Sequence, residues 1–364
     1  MNELTAIDWQ HVALLIIDMQ VDFAVPEGNA YISGTETVIP VVSDIARCFR
    51  KFRRPVVHVV RLYRQDGSNA DLCRRQYIAS GRSVVAPHSA GAAIVRPLLP
   101  GGVAQPDHLK LLAGEIVPMG DGDYAVYKPR WGAFYDTPLE NFLKQKDIRS
   151  LIVVGCNFPN CPRTTIYEAS ERDFSIGAIP QALSGIYPKG QEELLNIGIN
   201  LLDLNELHAQ FTAQFRLCEY RDEWKPHFEN LNKAWLNKYF TVEPVDEYVL
   251  SNPEEAILND GGKILFVAYG DEIVGTVALK KRGDDTFELT KMAVDERFQG
   301  MGAGTLLCQN AVASARALGA KRLVLFTQKR LETAITIYRK VGFRDIPVEP
   351  GIYDRADVMM ELQL

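Results

Sequence analysis

Three residue types that can carry out covalent chemistry stand at the ends of apolar runs in this chain. Asp18 directly follows the run 13–17, Lys128 follows the short run 124–127, and Cys161 lies in the turn after the run 151–154. Each alone also fits a structural role, as a turn aspartate, a solvated lysine or a buried cysteine. Because buried parallel strands end at one sheet edge, where ligands bind, the three together predict a nucleophile, a proton carrier and a cation at one site.

Cys161 is the candidate nucleophile. Asparagines and prolines within 157–162 indicate a tight turn, and 164–172 has helical composition, so the cysteine should lie in the first turn of a helix. Unpaired N–H groups and the positive end of the helix dipole favour the thiolate at such a position. We therefore expect the pKa of this thiol to be lowered.

The segment from about 13 to 207 resembles the isochorismatase-like cysteine hydrolases, a superfamily that includes nicotinamidases, N-carbamoylsarcosine and ureidoacrylate amidohydrolases, and isochorismatases. The resemblance is carried by IIDMQVDF at 16–23, by KPRWGAF at 128–134 followed by TPL, and by the spacing of Gly155 and Cys161. It implies a doubly wound parallel sheet of α/β class.

The resemblance also implies a catalytic triad of Asp18, Lys128 and Cys161. Asp18 would take the thiol proton and return it to the leaving amine, and Lys128 would hold both partners and lower the thiol pKa. The backbone N–H of Cys161 would stabilise the oxyanion. Members of the family often have a cis peptide in this turn, which here would fall near Cys156–Asn157.

The sequence departs from the family pattern in two places. Pro159 and Pro162 cannot donate an N–H to an oxyanion, and Phe158 is a candidate pocket wall. The Asp/His cluster that follows the second strand of nicotinamidases has no counterpart here, and His58 lies inside that strand, so we expect a core histidine and no metal. Nicotinamide is then a less favoured substrate, and Cys161 favours C–N hydrolysis over vinyl-ether cleavage.

Other candidate substrate-binding residues lie near the three strand ends. Arg61, at the end of the second strand, could meet a substrate carboxylate or be a surface arginine. Phe23, Trp131 and Phe134 are candidate pocket walls, and ordinary core packing is an equal alternative for the last two. Residues 62–120 are rich in glycine and proline and carry a basic cluster at 74, 75 and 82. This insertion could shape the substrate mouth or a subunit contact.

Composition limits the possible functions. The 364 residues are 47% hydrophobic and 24% charged, as in globular domains, and they are enough for two domains. A net charge of −6 argues against nucleic acid as a partner, and no long apolar segment or signal peptide indicates a membrane. Six scattered cysteines fit a reducing cytoplasm. We expect a cytoplasmic homo-oligomer that acts on small molecules.

The second half contains a glycine-rich turn between a strand and a helix. The run 287–294 predicts the strand, Gln299–Gly304 reads QGMGAG, and 305–318 predicts the helix. Backbone N–H groups of such a turn, together with the helix N-terminus, suit a pyrophosphate. A dinucleotide-binding fingerprint would need an acidic residue about 20 positions later, and none is suitably placed.

From about 221 onward the chain resembles the GNAT N-acetyltransferases, which use acetyl-CoA. The resemblance implies a mixed, twisted sheet of α/β class, splayed in its middle, with backbone at Met292 and Val294 paired to the pantetheine. It assigns the pyrophosphate to the turn made by Gln299, Gly300, Met301, Gly302, Ala303 and Gly304.

The same resemblance suggests the groups that would move protons. Tyr338 is the candidate general acid, with packing against Phe343 as the alternative, and Glu288 is a candidate general base. Residues 235, 239 and 353 are aromatic candidates for the border of the amine pocket.

The sequence therefore predicts a hydrolase domain at 1–212 and an acetyltransferase domain at 213–364, joined in a bifunctional enzyme. In the alternative, only one domain is catalytic and the other is an acetyl-CoA sensor or an assembly module. Whether the two activities act consecutively on one molecule is left open.

Overall fold

The computed structural model describes residues 3–239, 244–348 and 356–364, and the chain divides into two compact units, Met1–Phe211 and Thr212–Leu364. Both units are α/β structures, as predicted, and each contains one seven-stranded sheet. Each is described separately below.

The sheet of the first unit has a parallel core with one antiparallel edge strand. Its spatial order is β3-β4-β2-β1-β5-β6-β7, and only β3 runs antiparallel to its neighbour. The strands are β1 (Val12–Ile17), β2 (Val56–Val60), β3 (Val117–Gly120), β4 (Asp123–Tyr127), β5 (Ser150–Gly155), β6 (Ser175–Leu183) and β7 (Asn200–Leu201).

Helices connect these strands. They are α1 (Val21–Ala24), α2 (Thr35–Lys51), α3 (Leu72–Ala79), α4 (His108–Leu112), α5 (Leu139–Gln145), α6 (Cys161–Ser170), α7 (Pro188–Asn196) and α8 (Leu204–Thr212). The spacing of Val38, Val42, Ile45 and Phe49 in the sequence predicts an amphipathic helix at 35–53, which is α2, and these four positions are buried. This apolar face of α2 packs on the sheet. The central strands β1, β2 and β5 are buried along their whole length.

The central strands bring the predicted catalytic segments to one edge. Parallel pairing continues one residue beyond the strands: the N–H of Asp18 donates to Val59 O at 2.9 Å, and the N–H of Lys128 donates to Val60 O at 3.0 Å. The N–H of Cys156 likewise donates to Ile17 O at 2.9 Å. The segments that carry Asp18, Lys128 and Cys161 therefore leave the sheet side by side.

The second unit contains a mixed sheet in the order β13-β14-β12-β11-β10-β9-β8. Its strands are β8 (Phe215–Glu219), β9 (Lys263–Tyr269), β10 (Glu272–Lys281), β11 (Thr286–Val294), β12 (Arg322–Thr327), β13 (Arg344–Ile346) and β14 (Val358–Gln363). Its helices are α9 (Lys225–Tyr239), α10 (Pro244–Ser251), α11 (Ala303–Ala317) and α12 (Glu332–Val341), with a π-helical turn at Glu254–Leu258.

The sheet of the second unit opens in its middle. β11 pairs with β12 only over Thr286–Glu288, so the two strands separate beyond that point. On its other side β11 stays paired with β10, with a register shift opposite 276–278, where Lys291 has a φ of 51°. This shift is a β-bulge, which bends the strand at the position where the gap begins.

Three sequence expectations can be compared directly with the fold. The polar segment 205–220 has helical composition, which predicts a helix, but α8 ends at Thr212 and Phe215–Glu219 is the edge strand β8, because its backbone pairs antiparallel with β9. Among the described residues no peptide bond is cis, so the expectation at Cys156–Asn157 is wrong. No helix within the described ranges is long and apolar enough to cross a membrane.

Gly155 should be essential for the contact between β1 and β5. Its φ is 116°, and a Cβ there would lie 2.3 Å from Ile17 O and 2.7 Å from Ile17 N. Because these are backbone atoms of a paired strand, Gly155→Ala must separate the two strands. We expect faster amide hydrogen exchange in peptides that cover β1 and β5, by at least about 100-fold, or failure to fold.

Gly114→Ala is the matched control, because Gly114 has a φ of 84° but nothing lies within 4 Å of its Cβ position. It carries only the left-handed backbone cost of about 1–2 kcal/mol. Equal exchange in β1 and β5 of the two variants would contradict the steric account.

Candidate active sites

A buried ion pair links the first two predicted catalytic residues. Lys128 Nζ lies 2.8 Å from Asp18 Oδ2, and the two side chains are 0% and 6% exposed. Lys128 also donates to the carbonyl of Arg130 at 3.2 Å. The other carboxylate oxygen, Asp18 Oδ1, is buried and has no nitrogen or oxygen partner among the described residues. One oxygen of Asp18 is thus held by the lysine, and the other is available to a third group.

Cys161 is that third group. It is the first residue of α6, and it is buried, with 6% exposure. Burial, followed by the negative charge of Asp18, raises the pKa of the Cys161 thiol, while the positive charges of Lys128 and Arg61 act in the opposite direction. The predicted lowering of the pKa is therefore wrong, because loss of solvation outweighs the two cations. The resting thiol is protonated and lies beside a carboxylate that can accept its proton.

Arg61 is a buried cation next to Cys161. It is almost completely buried, and its Nη1 donates to both carboxylate oxygens of Asp71, at 3.1 and 3.0 Å, and to Pro129 O at 3.1 Å. Its Nη2 lies 3.9 Å from Cys161 Sγ. The charge of Arg61 is thus matched by Asp71. The predicted contact of Arg61 with a substrate carboxylate stays a prediction.

Sequence analysis did not identify Gln20 and Asp22 as residues that organise the site, although both lie in the motif IIDMQVDF. Gln20 Nε2 donates to the carbonyls of Arg61 and Ala92, at 2.9 and 2.8 Å, and its Oε1 accepts from Arg61 N at 2.7 Å. Asp22 accepts from the N–H of Val85 at 2.5 Å. These bonds attach the insertion at 62–120 to the ends of β1 and β2.

Two residues of α6 attach the lysine segment to the cysteine helix. Thr165 Oγ1 accepts from Ala133 N at 3.2 Å and donates to Cys161 O at 2.8 Å. Glu168 accepts from Phe134 N at 2.9 Å. Gly132 leaves room for this carboxylate, since a Cβ there would lie 2.1 Å from it. Thr165 and Glu168 follow Cys161 by four and seven residues and so lie on the same face of α6. This spacing is the signal in the sequence that could have identified them.

The predicted pocket walls fall into two groups. Phe23 and Trp131 lie beneath the guanidinium of Arg74, whose carbon is 5.9 and 5.3 Å from their ring centroids. Phe134 and Phe158 are members of the buried core. Phe158 is fully buried and packs edge-on against Tyr187, with ring centroids 5.6 Å apart. These core contacts do not support a pocket-wall role for Phe158.

No group of three or more His, Cys, Asp or Glu side chains suited to a metal ion occurs in the described ranges. His58 is buried and shares a hydrogen bond with Asp123 at 2.8 Å, and Arg50 also pairs with Asp123. This confirms that His58 is a core residue.

In the second unit, the opened strands border a cavity of about 430 Å³. Six predicted residues line it: Glu288, Met292, Val294, Gln299, Gly300 and Gly304. Tyr338 and Trp235 line the same cavity. The Tyr239 side chain and residue 353, the other predicted pocket aromatics, lie outside what the structure describes.

The glycine-rich turn leads directly into α11. Gly302 is the residue before the helix, with a φ of 98°, and the side chains of Met301 and Ala303 are buried. Gln299 Nε2 donates back to Val294 O at 3.0 Å, so this side chain attaches the turn to the end of β11. The turn fits a phosphate group because α11 begins there with N–H groups that have no helical partner.

The two predicted proton-transfer groups differ in their surroundings. Burial raises the pKa of the Tyr338 hydroxyl, so the phenol stays protonated around neutral pH, as a general acid requires. Tyr338 also packs edge-on against Phe343, with centroids 5.9 Å apart, so the two alternatives are compatible. Glu288 is buried and forms an ion pair with Arg282.

Comparison with known proteins gives relatives for each unit. Residues 12–198 match the model of the isochorismatase domain family, and 218–343 match that of the acetyltransferase (GNAT) family. A protein of Arabidopsis thaliana named as a probable inactive nicotinamidase is 28% identical over 203 residues, which are 54% of this chain and 95% of the relative.

Solved structures match each unit separately. An isochorismatase family protein of Desulfovibrio vulgaris is 28% identical, with a TM-score of 0.48, over 55% of this chain and 97% of its own. A GNAT acetyltransferase of Staphylococcus aureus Mu50 is 21% identical, with a TM-score of 0.38, over 41% of this chain and 98% of its own. The chain belongs to the isochorismatase family and carries, after that domain, a domain of the acetyltransferase (GNAT) family.

Proposed function

We propose that the first unit is a cysteine hydrolase that cleaves the C–N bond of a small amide or carbamoyl compound. The observation that carries the proposal is the arrangement of three groups. Asp18 is held by Lys128 through one carboxylate oxygen, at 2.8 Å, and has its other oxygen buried without a nitrogen or oxygen partner among the described residues, beside the protonated thiol of Cys161.

In the first half of the reaction, Asp18 accepts the thiol proton as the Cys161 sulfur attacks the carbonyl carbon. A C–S bond forms, and the carbonyl oxygen becomes an oxyanion near the start of α6, where the N–H of Cys161 is the candidate donor. When the intermediate collapses, the C–N bond breaks and Asp18 returns its proton to the leaving amine. Lys128 keeps its proton and offsets the negative charge that moves between Asp18 and Cys161.

In the second half, water hydrolyses the thioester. Asp18 accepts a proton from the water while the water oxygen attacks the acyl carbon. The C–S bond then breaks. The proton then returns to the Cys161 sulfur, which regenerates the resting thiol. This cycle starts from a protonated thiol, in agreement with the raised pKa of Cys161.

The Arabidopsis relative is named as a probable inactive nicotinamidase, and the proposal for this chain does not include nicotinamide as a substrate. The competing possibility is that one unit acts only as a sensor or an assembly module. The presence of Asp18, Lys128 and Cys161 together supports catalysis in the first unit.

A second activity is supported by a different observation, the cavity at the opened strands β11 and β12. We propose that the second unit transfers an acetyl group from acetyl-CoA to a small amine. The amine nitrogen attacks the thioester carbon, the C–S bond breaks, and Tyr338 protonates the departing thiolate. Glu288, directly or through water, would accept the proton lost by the amine.

Cys161→Ala should abolish amide hydrolysis, and Asp18→Asn should reduce kcat/KM by at least about 10³-fold, because the base and the nucleophile act as a unit. The measurement is release of amine or ammonia by the full chain from a panel of small amides and ureas. Cys73→Ala, which changes an exposed cysteine, is the control and should retain activity. Full hydrolysis by Cys161→Ala would refute the proposed nucleophile.

The pH dependence of Cys161 alkylation distinguishes the effect of the Asp18 charge on the thiol pKa from the role of Asp18 as a base in turnover. In the wild type the midpoint should lie above the ordinary thiol pKa of 9.0, since burial and Asp18 both raise it. Asp18→Asn removes a negative charge, so the midpoint should fall to lower pH although turnover is lost. A midpoint that stays or rises in Asp18→Asn would contradict the proposed contact.

Gly302→Glu should prevent acetyl-CoA binding, because a side chain and a negative charge would occupy the phosphate turn. Wild-type affinity should be of micromolar order, about 8 kcal/mol, in calorimetry on the full chain. Gly319→Glu is the matched control at the other end of α11: its φ of 81° is also left-handed, but its Cβ position is open. Equal binding by the two variants would exclude this turn as the site.

Tyr338→Phe should leave acetyl-CoA affinity unchanged and slow acetyl transfer by about 100-fold, the lower range for loss of a general acid. Single-turnover transfer to a panel of amines measures the chemical step. Unchanged transfer with this variant would leave Tyr338 with a packing role against Phe343 only.

A further inference from the structure

Arg74 is a half-buried arginine of α3 whose guanidinium lies over aromatic faces. Its carbon is 5.3 Å from the Trp131 ring centroid and 5.9 Å from that of Phe23, and its Nη1 donates to the Tyr63 hydroxyl at 3.1 Å. A guanidinium has five N–H donors, and these contacts use only a small part of them. In the part of the chain that the structure describes, Arg74 makes no ion pair with a carboxylate.

The three contacts place Arg74 above the hydrolase site. Phe23 follows Asp18 by five residues, Trp131 follows Lys128 by three, and Tyr63 lies just beyond the end of β2. Arg74 therefore spans the segments that carry the base and the lysine. Burial lowers the pKa of the Arg74 guanidinium, but the Tyr63 hydroxyl and, to a smaller extent, the Cys161 sulfur raise it, and the pKa is raised on balance.

Arg61 and Arg74 are differently provided with counter-charge. Asp71 accepts two hydrogen bonds from Arg61 and a third from the Tyr63 hydroxyl, at 2.8 Å. The Tyr63 oxygen in turn accepts from Arg74. Asp71 is thus hydrogen-bonded to Arg61 directly, whereas its hydrogen bonds reach Arg74 only through the Tyr63 hydroxyl, although the two charges also attract each other.

Two of the cationic side chains near the site have a carboxylate partner. Lys128 pairs with Asp18, and Arg61 pairs with Asp71. Arg130 donates to the backbone carbonyls of Asn69 and Pro129, and Arg74 donates to the Tyr63 hydroxyl. Two further carboxylates that organise the site are bonded to backbone N–H groups, Asp22 to that of Val85 and Glu168 to that of Phe134. The guanidinium of Arg74 therefore keeps N–H donors that an added anion can use.

We propose that Arg74 binds a carboxylate of the substrate, so that the hydrolase acts on small amides or carbamoyl compounds that also carry an acidic group. This inference rests on the proposed cysteine hydrolysis and specifies its substrate class. The guanidinium fork suits a carboxylate, and the rings of Trp131 and Phe23 hold it in one orientation. The substrate's acid group binds at α3 while its carbonyl carbon reaches the sulfur.

The test uses two alkylating reagents that differ in charge, iodoacetate and iodoacetamide. In both, the Cys161 sulfur displaces iodide: the S–CH₂ bond forms, the C–I bond breaks, and the thiol proton is lost to the base. The rate at Cys161 is measured on the full chain by mass spectrometry of its peptide. The rate with iodoacetate is divided by the rate with iodoacetamide, and this ratio is divided by the same ratio for free N-acetylcysteine amide. The result, the relative ratio, reports an anion site without knowledge of the substrate.

We expect this relative ratio to be at least about ten in the wild type, as charge-assisted hydrogen bonding to an arginine allows. Arg74→Gln should return it to about one, and any change in the thiolate fraction of Cys161 affects both reagents alike and cancels in the ratio. Arg74→Lys should retain part of the preference. Arg75→Gln is the matched control, because Arg75 is the exposed neighbour that donates to Ala70 O at 3.3 Å.

The outcomes distinguish this proposal from the one on which it rests. Alkylation of Cys161 by both reagents with a ratio near one, or an equal loss of preference in Arg74→Gln and Arg75→Gln, would overturn the anion site and leave the nucleophile in place. Failure of both reagents to alkylate Cys161 would overturn the nucleophile and the anion site together.

Discussion

The ion pair between Asp18 and Lys128 is the interaction on which the hydrolase site depends. Both side chains are almost completely buried, with 2.8 Å between Nζ and Oδ2. Two charges are taken out of water there, so loss of either partner would leave an uncompensated charge at a cost of about 3–5 kcal/mol. The pair also leaves one buried oxygen of Asp18 without a nitrogen or oxygen partner among the described residues, and in the proposed mechanism this oxygen accepts the proton of Cys161.

The surrounding structure holds the pair and the cysteine in register. β1 and β5 approach so closely at Gly155 that a Cβ would meet Ile17 backbone at 2.3 Å. Gln20 joins the end of β2 to the insertion, and Thr165 joins the lysine segment to α6. In each of these hydrogen bonds one of the two partners is a backbone atom. The site is therefore held by the backbone of the sheet and its loops and not by flexible side chains alone.

Much of this arrangement could be predicted from sequence, since apolar runs and the residues that end them are local signals. The strands before Asp18, Lys128 and Cys161, the amphipathic helix α2 and the glycine turn before α11 were predicted in this way. The sign of the thiol pKa shift could not be, because it depends on how burial weighs against charges from three separate segments. The pairing of Arg61 with Asp71 and the strand at 215–219 depend on long-range contacts, which no local pattern reveals. The domain boundary and site roles stay predictions.

Covalent catalysis at Cys161 is tested most directly by trapping its acyl intermediate. A small acid-bearing p-nitroanilide is mixed with the full chain, and nitroaniline release is followed before acid quenching and peptide mapping. The account predicts a burst of about one nitroaniline per chain when acylation outpaces thioester hydrolysis, with the acyl mass on the Cys161 peptide. Catalytic release of nitroaniline at an unchanged rate by Cys161→Ala, or an acyl group found only on another residue, would contradict it.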